Sequence, residues 1–368
     1  MNGSIRFGNL FGIPFYINPS WFLVLGLGTI QLATIFSGLG GILPLILGLI
    51  STLLMFASVL AHELGHSFVA IRQGIKVNSI TLFLFGGLAS LDKEAETPGE
   101  AFWIAIAGPA VSLMLFALFT AIGVGTGVTG PLAALLQILA SINLILALFN
   151  LLPGLPLDGG NILKSLVWKI TGKAYKGVVF ASRAGQVVGW IAIALGLLSV
   201  LGISNIGSIW TLFIGWFLLQ NAKRSAQSAT VQEKLTALKA EDAVIPDSPV
   251  VSADLSLREF ANNYIIGKTQ WQKFLVIDED GQFLGTIAID DMRNVPTSNW
   301  PNTPVKELMQ PVISNAVTSN QSLLEVITLL EQEKITQLPV VRENGVLVGL
   351  LEKSSIIRLL EQKQAEPA

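Results

Sequence analysis

The only two histidines of the chain, His62 and His66, lie four residues apart in the segment AHELGHSF. Residues four apart on an α-helix share one face, so the two imidazoles can bind one zinc ion together. Glu63 follows the first histidine and is placed to act as a general base on a water molecule at the metal. These ionisable groups interrupt an otherwise apolar segment, where charged groups are costly and usually functional.

The third metal ligand is predicted from what the chain lacks. A catalytic zinc ion takes three protein ligands and keeps one position for water. The chain has no further histidine and no cysteine, so the third ligand must be a carboxylate. Asp158, in NLLPGLPLDGGN, is the only acidic residue between Glu100 and Glu233, and prolines and glycines interrupt the helix around it. We therefore predict that Asp158 is a ligand, with a helix-capping role as the alternative.

Asn150 is the remaining candidate for chemistry and lies eight residues before Asp158. Its amide can hydrogen-bond the substrate backbone or the oxyanion of the reaction. The alternative is a hydrogen bond between two helices. Taken with Glu63, this set of residues predicts hydrolysis of a peptide bond with one zinc ion per subunit as the cofactor.

The elements that carry these residues are apolar. The chain is 51% hydrophobic and 13% charged, against about 25% charged in soluble proteins. Residues 7–61, 104–157 and 184–222 contain no Asp, Glu, Lys or Arg at all. Blocks of this length indicate helices in a lipid bilayer. The net charge of −2 gives no reason to expect a nucleic-acid partner.

We predict a polytopic α-helical membrane protein with about six transmembrane helices, because a span takes about 20 apolar residues. The predicted spans are 18–36, 41–73, 100–124, 131–152, 178–201 and 206–220. In this arrangement the basic residues between spans all fall on one side of the membrane, which the positive-inside rule makes cytoplasmic. The expected location is the cell membrane, multi-pass, with both termini cytoplasmic. The first span is expected to be retained, not cleaved as a signal peptide.

The segment VNSITLFLFGGLASLD, between the second and third predicted spans, has a different pattern. Its β-branched and aromatic residues flank Gly86 and Gly87, which predicts two short strands around a turn. Backbone of this kind is tolerated near lipid when it lines a cavity. An extended substrate could add a strand to its edge.

The C-terminal part is predicted to be an α/β domain built from a tandem repeat. FLVIDEDGQFLGTIAIDDM from Phe274 matches LPVVRENGVLVGLLEKSSI from Leu338 at an offset of 64 residues. Each copy has the pattern strand, glycine turn, strand, helix, and a doubled repeat indicates a tandem pair. We predict a transmembrane domain at 1–224, a polar, helix-favouring linker at 225–241, and the pair at 242–368, divided into about 242–300 and 301–364.

The motifs HELGH, FGG, AGPAVS from Ala107 and NLLPGLPLDGG resemble, in this order, those of the site-2 protease family of intramembrane zinc metalloproteases. The resemblance covers about residues 1–224. It implies regulated intramembrane proteolysis, in which transmembrane segments of membrane-anchored regulatory proteins are cleaved. It also implies functional roles for five residues. The ligands would be His62, His66 and Asp158, the general acid/base would be Glu63, and Asn150 would be the Asn of the family's Asp-containing motif.

Residues 255–362 resemble a tandem pair of cystathionine-β-synthase (CBS) domains. The resemblance implies one of two roles for the cytoplasmic pair: a sensor that binds an adenine nucleotide and modulates the protease, or a structural module that joins two chains in a homodimer. Nucleotide-binding members carry Ser or Thr and then Asp after the second glycine. The corresponding residues are Ala288 and Asp291 in the first copy and Glu352 and Ser355 in the second, and only Asp291 matches.

Two other functions are compatible with parts of the sequence. A CBS-regulated metal ion transporter could use polar residues inside the membrane as an ion path. Glu63, and the lack of a second polar cluster in the other predicted spans, favour the protease. A catalytically inactive membrane scaffold is the other alternative, and the complete set of ligands argues against it.

Overall fold

The computed structural model describes residues 3–84, 86–267, 271–311 and 316–365. The chain divides into two compact units, Met1–Thr230 and Val231–Ala368. The N-terminal unit is mainly helical. Its helices are α1 (Ser20–Ala33), α2 (Leu43–Arg72), α3 (Pro98–Thr126), α4 (Pro131–Asn150), α5 (Asp158–Thr171), α6 (Ala174–Val200) and α7 (Ile209–Ala237), whose last seven residues belong to the C-terminal unit.

Four of the helices in the described part of the chain are long and apolar enough to cross a membrane: α2, α3, α4 and α6. Ser20–Phe36, which includes α1, is a shorter apolar helical stretch. The chain is thus a polytopic α-helical membrane protein, as predicted. The total of six spans stays a prediction, because α1 and α7 do not meet the same criterion of length and composition.

The start of α3 shows how local sequence sets a helix boundary. Thr97 accepts a hydrogen bond on Oγ1 from the Glu100 backbone N–H, and the Glu100 carboxylate accepts one from the Thr97 backbone N–H. This reciprocal pair satisfies two backbone donors that the first turn would otherwise leave free. Pro98 occupies the first helical position, where its missing N–H costs nothing.

A four-stranded sheet lies in the same unit, in the order β1 (Ile5–Leu10), β2 (Ile13–Ile17), β3 (Val77–Phe83) and β4 (Gly86–Leu91). The β2 and β3 strands are parallel, and the other two pairs are antiparallel. The two predicted strands are confirmed, although Gly86 and Gly87 are the first residues of β4 and pair with Phe83 and Leu82, so they lie in the strand and not in the turn. The strands β1 and β2 were not predicted. β4 is an outer strand of the sheet, so its second edge has no strand partner among the residues of this unit that the structure describes.

The sheet packs against the C-terminal half of α2. Ile13, Ile75, Val77 and Ile80 are buried in one apolar cluster with Ala70 of α2. Each buried isoleucine or valine contributes about 1.5–3 kcal/mol of transfer free energy. This packing fixes the sheet beside the part of α2 that carries the HELGH sequence.

The C-terminal unit confirms the predicted α/β repeat. Its helices and strands are β5 (Val250–Ser252), α8 (Leu257–Phe260), β6 (Lys273–Ile277), β7 (Phe283–Ala288), β8 (Gln310–Pro311), β9 (Val317–Thr318), α9 (Leu323–Gln332), β10 (Gln337–Val341), β11 (Leu347–Glu352) and α10 (Lys353–Ala365). The β6/β7 and β10/β11 hairpins are both antiparallel, and their registers shift at Val276/Ile277 and Val340/Val341, equivalent positions of the two copies. Each copy has its own apolar core.

Two details of this part differ from the predicted pattern. The helix expected after β7 is a short 3-10 helix, Ile289–Asn294, while its counterpart α10 is a regular α-helix. The predicted linker 225–241 begins inside α7, which extends to Ala237. The domain boundaries at 224 and 241 stay predictions.

Candidate metal centre

The structure brings the three predicted metal ligands together from two helices that are far apart in the sequence. His62 and His66 lie one turn apart on α2, and Asp158 is the first residue of α5. The two Nε2 atoms are 3.2 Å apart. Asp158 Oδ2 lies 3.1 Å from His62 Nε2 and 3.3 Å from His66 Nε2. The three atoms form a nearly equilateral triangle.

The size of this triangle fits zinc. Tetrahedral zinc with bonds of about 2.0–2.1 Å separates its ligand atoms by about 3.3 Å, close to the three distances between these atoms. The Asp158 side chain makes no capping hydrogen bond at the start of α5, where Leu157 is the N-cap residue. The structure therefore does not use Asp158 in the alternative capping role, and its carboxylate points to the histidines.

The outer nitrogens of both imidazoles are held by α3. His66 Nδ1 lies 2.6 Å from the carbonyl oxygen of Ile104, and His62 Nδ1 lies 2.9 Å from Ser112 Oγ. A carbonyl can only accept, so His66 Nδ1 carries the proton and its Nε2 carries a lone pair. Ser112 can accept from His62 in the same way. Two lone pairs and a carboxylate oxygen then converge, an arrangement that a cation between them stabilises.

Ser112 and the glycine of the AGPAVS motif share one face of α3. Ser112 is fully buried, and Gly108 lies four residues before it. A Cβ at Gly108 would lie 2.6 Å from His62 Nε2 and closer still to His66 Nε2. Gly108 therefore leaves space beside the nitrogens for an ion. Sequence reasoning did not assign a role to either residue, although their helical spacing was a usable signal.

Glu63 lies beside the three predicted metal ligands, outside the cluster of His62, His66 and Asp158 that could hold a metal ion. Its side chain packs against β4, where a Cβ at Gly87 would lie 2.9 Å from Glu63 Cδ. Gly87, the second residue of the Gly-Gly pair, has no room for a side chain, because the Glu63 side chain fills the space that a Cβ would take.

These residues line a cavity of about 450 Å³ between α2, α3, α4, α5 and β4. Asn150, at the end of α4, also lines it and has no hydrogen-bond partner for its side chain in the described part of the chain. The interhelical bond considered for Asn150 is instead made by Asn143, which is fully buried and donates to Ser58 Oγ at 3.0 Å. Sequence reasoning missed Asn143, as it missed Asn161 and Lys164 in the cavity wall.

A larger cleft, of about 740 Å³, lies in the C-terminal unit and is lined by strands of both repeats together with Lys273 and Lys334. His62, His66 and Asp158, the three side chains that could hold a metal ion, do not line this cleft. Asp291, the one residue that matches the nucleotide-binding pattern, accepts a hydrogen bond from the Ala288 backbone N–H at 2.8 Å. Ser355 donates to the Ala243 carbonyl at 2.6 Å. Both side chains therefore have local structural partners, and nucleotide binding stays a prediction.

Comparison with known proteins agrees with this geometry. Peptidase family M50 matches residues 50–130 and 126–195, and the CBS domain matches residues 305–362. The chain is 59% identical to a Synechocystis protein named "Putative zinc metalloprotease sll0528", over 99% of this chain and 97% of that one. It is 29% identical to a zinc metalloprotease of Methanocaldococcus jannaschii, over 99% of each chain.

Among solved structures, a site-2 protease from Methanocaldococcus jannaschii is 31% identical and covers 61% of this chain and 95% of its own, with a TM-score of 0.46. The comparisons give no support to the transporter alternative. The family assignment rests on the near full-length identity to the Synechocystis protein and on the match to residues 50–195. The chain belongs to peptidase family M50, the site-2 protease family, and carries a CBS domain in its C-terminal part.

Proposed function

We propose that this chain is an intramembrane zinc metalloprotease, with His62, His66 and Asp158 as the zinc ligands. The observation that carries the proposal is the triangle of their three ligand atoms, with sides of 3.1, 3.3 and 3.2 Å, in a cavity between apolar helices. Zinc held at these atoms supplies a Lewis acid that activates water and stabilises the negative charge on the substrate carbonyl oxygen.

Glu63 is the proton carrier in this proposal. Its carboxylate lies in the same cavity and is not needed as a ligand. It accepts a proton from the attacking water and returns it to the nitrogen of the leaving peptide. The contact with β4 holds the carboxylate in one place through both transfers.

The substrates are transmembrane segments of membrane-anchored proteins, and the edge of β4 is their binding surface. A substrate helix uses its own carbonyls in internal hydrogen bonds, so it must unwind before cleavage. The extended chain can then pair with the free edge of β4, whose residues Gly87 and Ala89 line the cavity. Asn150, with its free amide, binds the substrate backbone or the oxyanion.

We place both termini and the C-terminal unit on the cytoplasmic side. The uncharged connections between predicted spans and the basic residues on the opposite side support this orientation. Arg72 ends α2 ten residues after His62, which puts the metal about 15 Å inside the membrane from that side. The CBS pair then lies in the cytoplasm, where it modulates cleavage through nucleotide binding or homodimerisation.

The test is cleavage of a membrane-spanning reporter by the purified full-length protein in detergent micelles. Cleavage should stop when zinc is removed by a chelator and return when zinc is added back. A reporter cut equally well by the metal-free protein would contradict the assignment. The same reporter with its cut site moved outside the apolar segment serves as a control for the intramembrane position.

A further inference from the structure

The cavity that holds Glu63 and Asp158 also contains the side chain of Lys164, from α5. Lys164 is the only lysine or arginine among the described residues that line this cavity. Its side chain is 18% exposed, and its Nζ lies 3.4 Å from Oε2 of Glu94, whose side chain is 88% exposed. Most of the lysine side chain is thus buried in the cavity wall, while Glu94, which also lines the cavity, is largely exposed.

Glu94 holds this ammonium group only loosely. The 3.4 Å separation is longer than the roughly 2.7–2.9 Å of a strong charge-assisted hydrogen bond. A solvent-exposed carboxylate also gains little from an ion pair, because water screens the charge and the side chain loses rotational freedom. A second carboxylate that enters the cavity can therefore replace Glu94 at small cost.

The backbone of Lys164 is fixed, so its position relative to Asp158 is defined. A Cβ at Gly177 of α6 would overlap the Lys164 carbonyl oxygen, which shows how closely α5 and α6 pack there. Six residues on α5 separate Asp158 from Lys164, or about 9 Å along the helix. An extended substrate chain advances about 3.3 Å per residue and covers this distance in about three residues.

We propose that Lys164 is a specificity-determining residue that binds an Asp or Glu side chain of the substrate about three residues from the scissile bond. This inference rests on the proposed protease function. In the free protein the Glu94 carboxylate forms an ion pair with the Lys164 ammonium group, and the substrate carboxylate replaces Glu94 in this ion pair. The protein therefore selects transmembrane substrates with an acidic residue close to the cleaved bond and disfavours those with a basic residue there.

The experiment uses zinc-loaded full-length protein in detergent micelles and three matched reporters, with Glu, Gln or Lys at one position. This variable position is moved from two to five residues away from the cleaved bond, on each side of it. All reporters carry a C-terminal amide. At one position the Glu reporter should exceed the Lys reporter in kcat/KM by about fivefold, the size expected of one partly screened ion pair. The difference should lie in KM.

The Lys164→Glu variant should reverse this order, so that the Lys reporter becomes the better substrate. The matched control is Lys169→Glu, an exposed lysine of the same helix, which should keep the order of the unmodified protein. Glu94→Gln provides an independent test that does not depend on the folding of the lysine variant. It removes the competing carboxylate, so KM for the Glu reporter should fall while KM for the Gln reporter stays the same.

Equal kcat/KM for the three reporters at every scanned position would overturn the proposal, and so would an unchanged order in folded Lys164→Glu. An unchanged KM for the Glu reporter in Glu94→Gln would also contradict the exchange of carboxylates. These outcomes leave the protease function intact. If the unmodified zinc-loaded protein cleaves no reporter of any charge, the proposed protease function fails, and this inference fails with it.

Discussion

Asp158 Oδ2 lies 3.1 Å from His62 Nε2, although 96 residues separate the two in sequence. The contact forms because the loop before α5 is tied to α6, where the Leu155 backbone N–H donates to the Ala181 carbonyl at 3.1 Å. The carboxylate makes no local capping bond that would hold it away. The site therefore depends on the packing of both α2 and α5 against α3, and each of its contacts can be tested separately.

Replacing Asp158 by Ala should remove the zinc, because two imidazoles alone leave the ion short of one protein ligand. Bound zinc, measured by metal analysis of the purified protein, should fall from about one equivalent to below about 0.1, in line with the loss of a first ligand. Asn161→Ala, in the same helix and cavity, is the matched control and should keep its zinc. A full equivalent of zinc in folded Asp158→Ala would show that the ligand lies elsewhere.

Gly108→Ala should also empty the site, because the added Cβ would lie 2.6 Å from His62 Nε2. The metal would have to be displaced, or α3 would have to move away from α2. Gly123→Ala is the matched control on the same helix, since its Cβ would meet Leu136 Cβ at an ordinary 3.9 Å. Metal analysis of both variants tests the contact, and normal zinc in Gly108→Ala would mean that the glycine has no steric role.

Ser112→Ala should weaken zinc binding without abolishing it. The variant loses the hydrogen bond to His62 Nδ1, and loss of such outer contacts costs roughly 10–100-fold in metal affinity. Competition with a chelator of known affinity measures the change. Ser51→Ala removes an equally buried serine of α2 that bonds only the Leu47 carbonyl, and it should behave like the unmodified protein. Equal affinities in the two variants would contradict the role of Ser112.

Asn150→Ala should lower kcat by about 100-fold or more if its amide binds the oxyanion, and zinc content should stay normal. An effect confined to KM would assign Asn150 to ground-state binding of the substrate backbone instead. Leu148→Ala, an exposed residue of the same helix, is the control for changes in α4 itself. Unchanged kinetics in Asn150→Ala would exclude the residue from the reaction.

Much of the metal site could be predicted because its residues are chemically rare in this chain. The chain has two histidines and no cysteine, and Asp158 is the one acidic residue between Glu100 and Glu233, so few side chains could complete a zinc site. The two strands β3 and β4 were predictable because β-branched and aromatic residues flank a glycine pair, although Gly86 and Gly87 themselves begin β4. Both inferences used residue type and local spacing alone.

The contacts of the site that were not predicted join residues that lie far apart in the sequence. Ser112 bonds His62 across 50 residues, and the Ile104 carbonyl bonds His66 across 38. Neither periodicity nor motif spacing contains that information, because the contacts exist only after α2 and α3 have packed. The helix α5 was missed for a local reason, since Gly159 and Gly160 in its first turn disfavour helix in an isolated sequence.

The most direct test of zinc-dependent proteolysis by this chain is the Glu63→Gln variant, measured for zinc and for cleavage in one preparation. Glutamine keeps the size of the side chain and its contact with β4 but cannot accept the proton from water. We predict about one equivalent of bound zinc and cleavage of the membrane-spanning reporter reduced by a factor of roughly 100 or more. Cleavage at the unmodified rate with normal zinc would contradict the assignment of Glu63, and loss of zinc would show that Glu63 is a ligand.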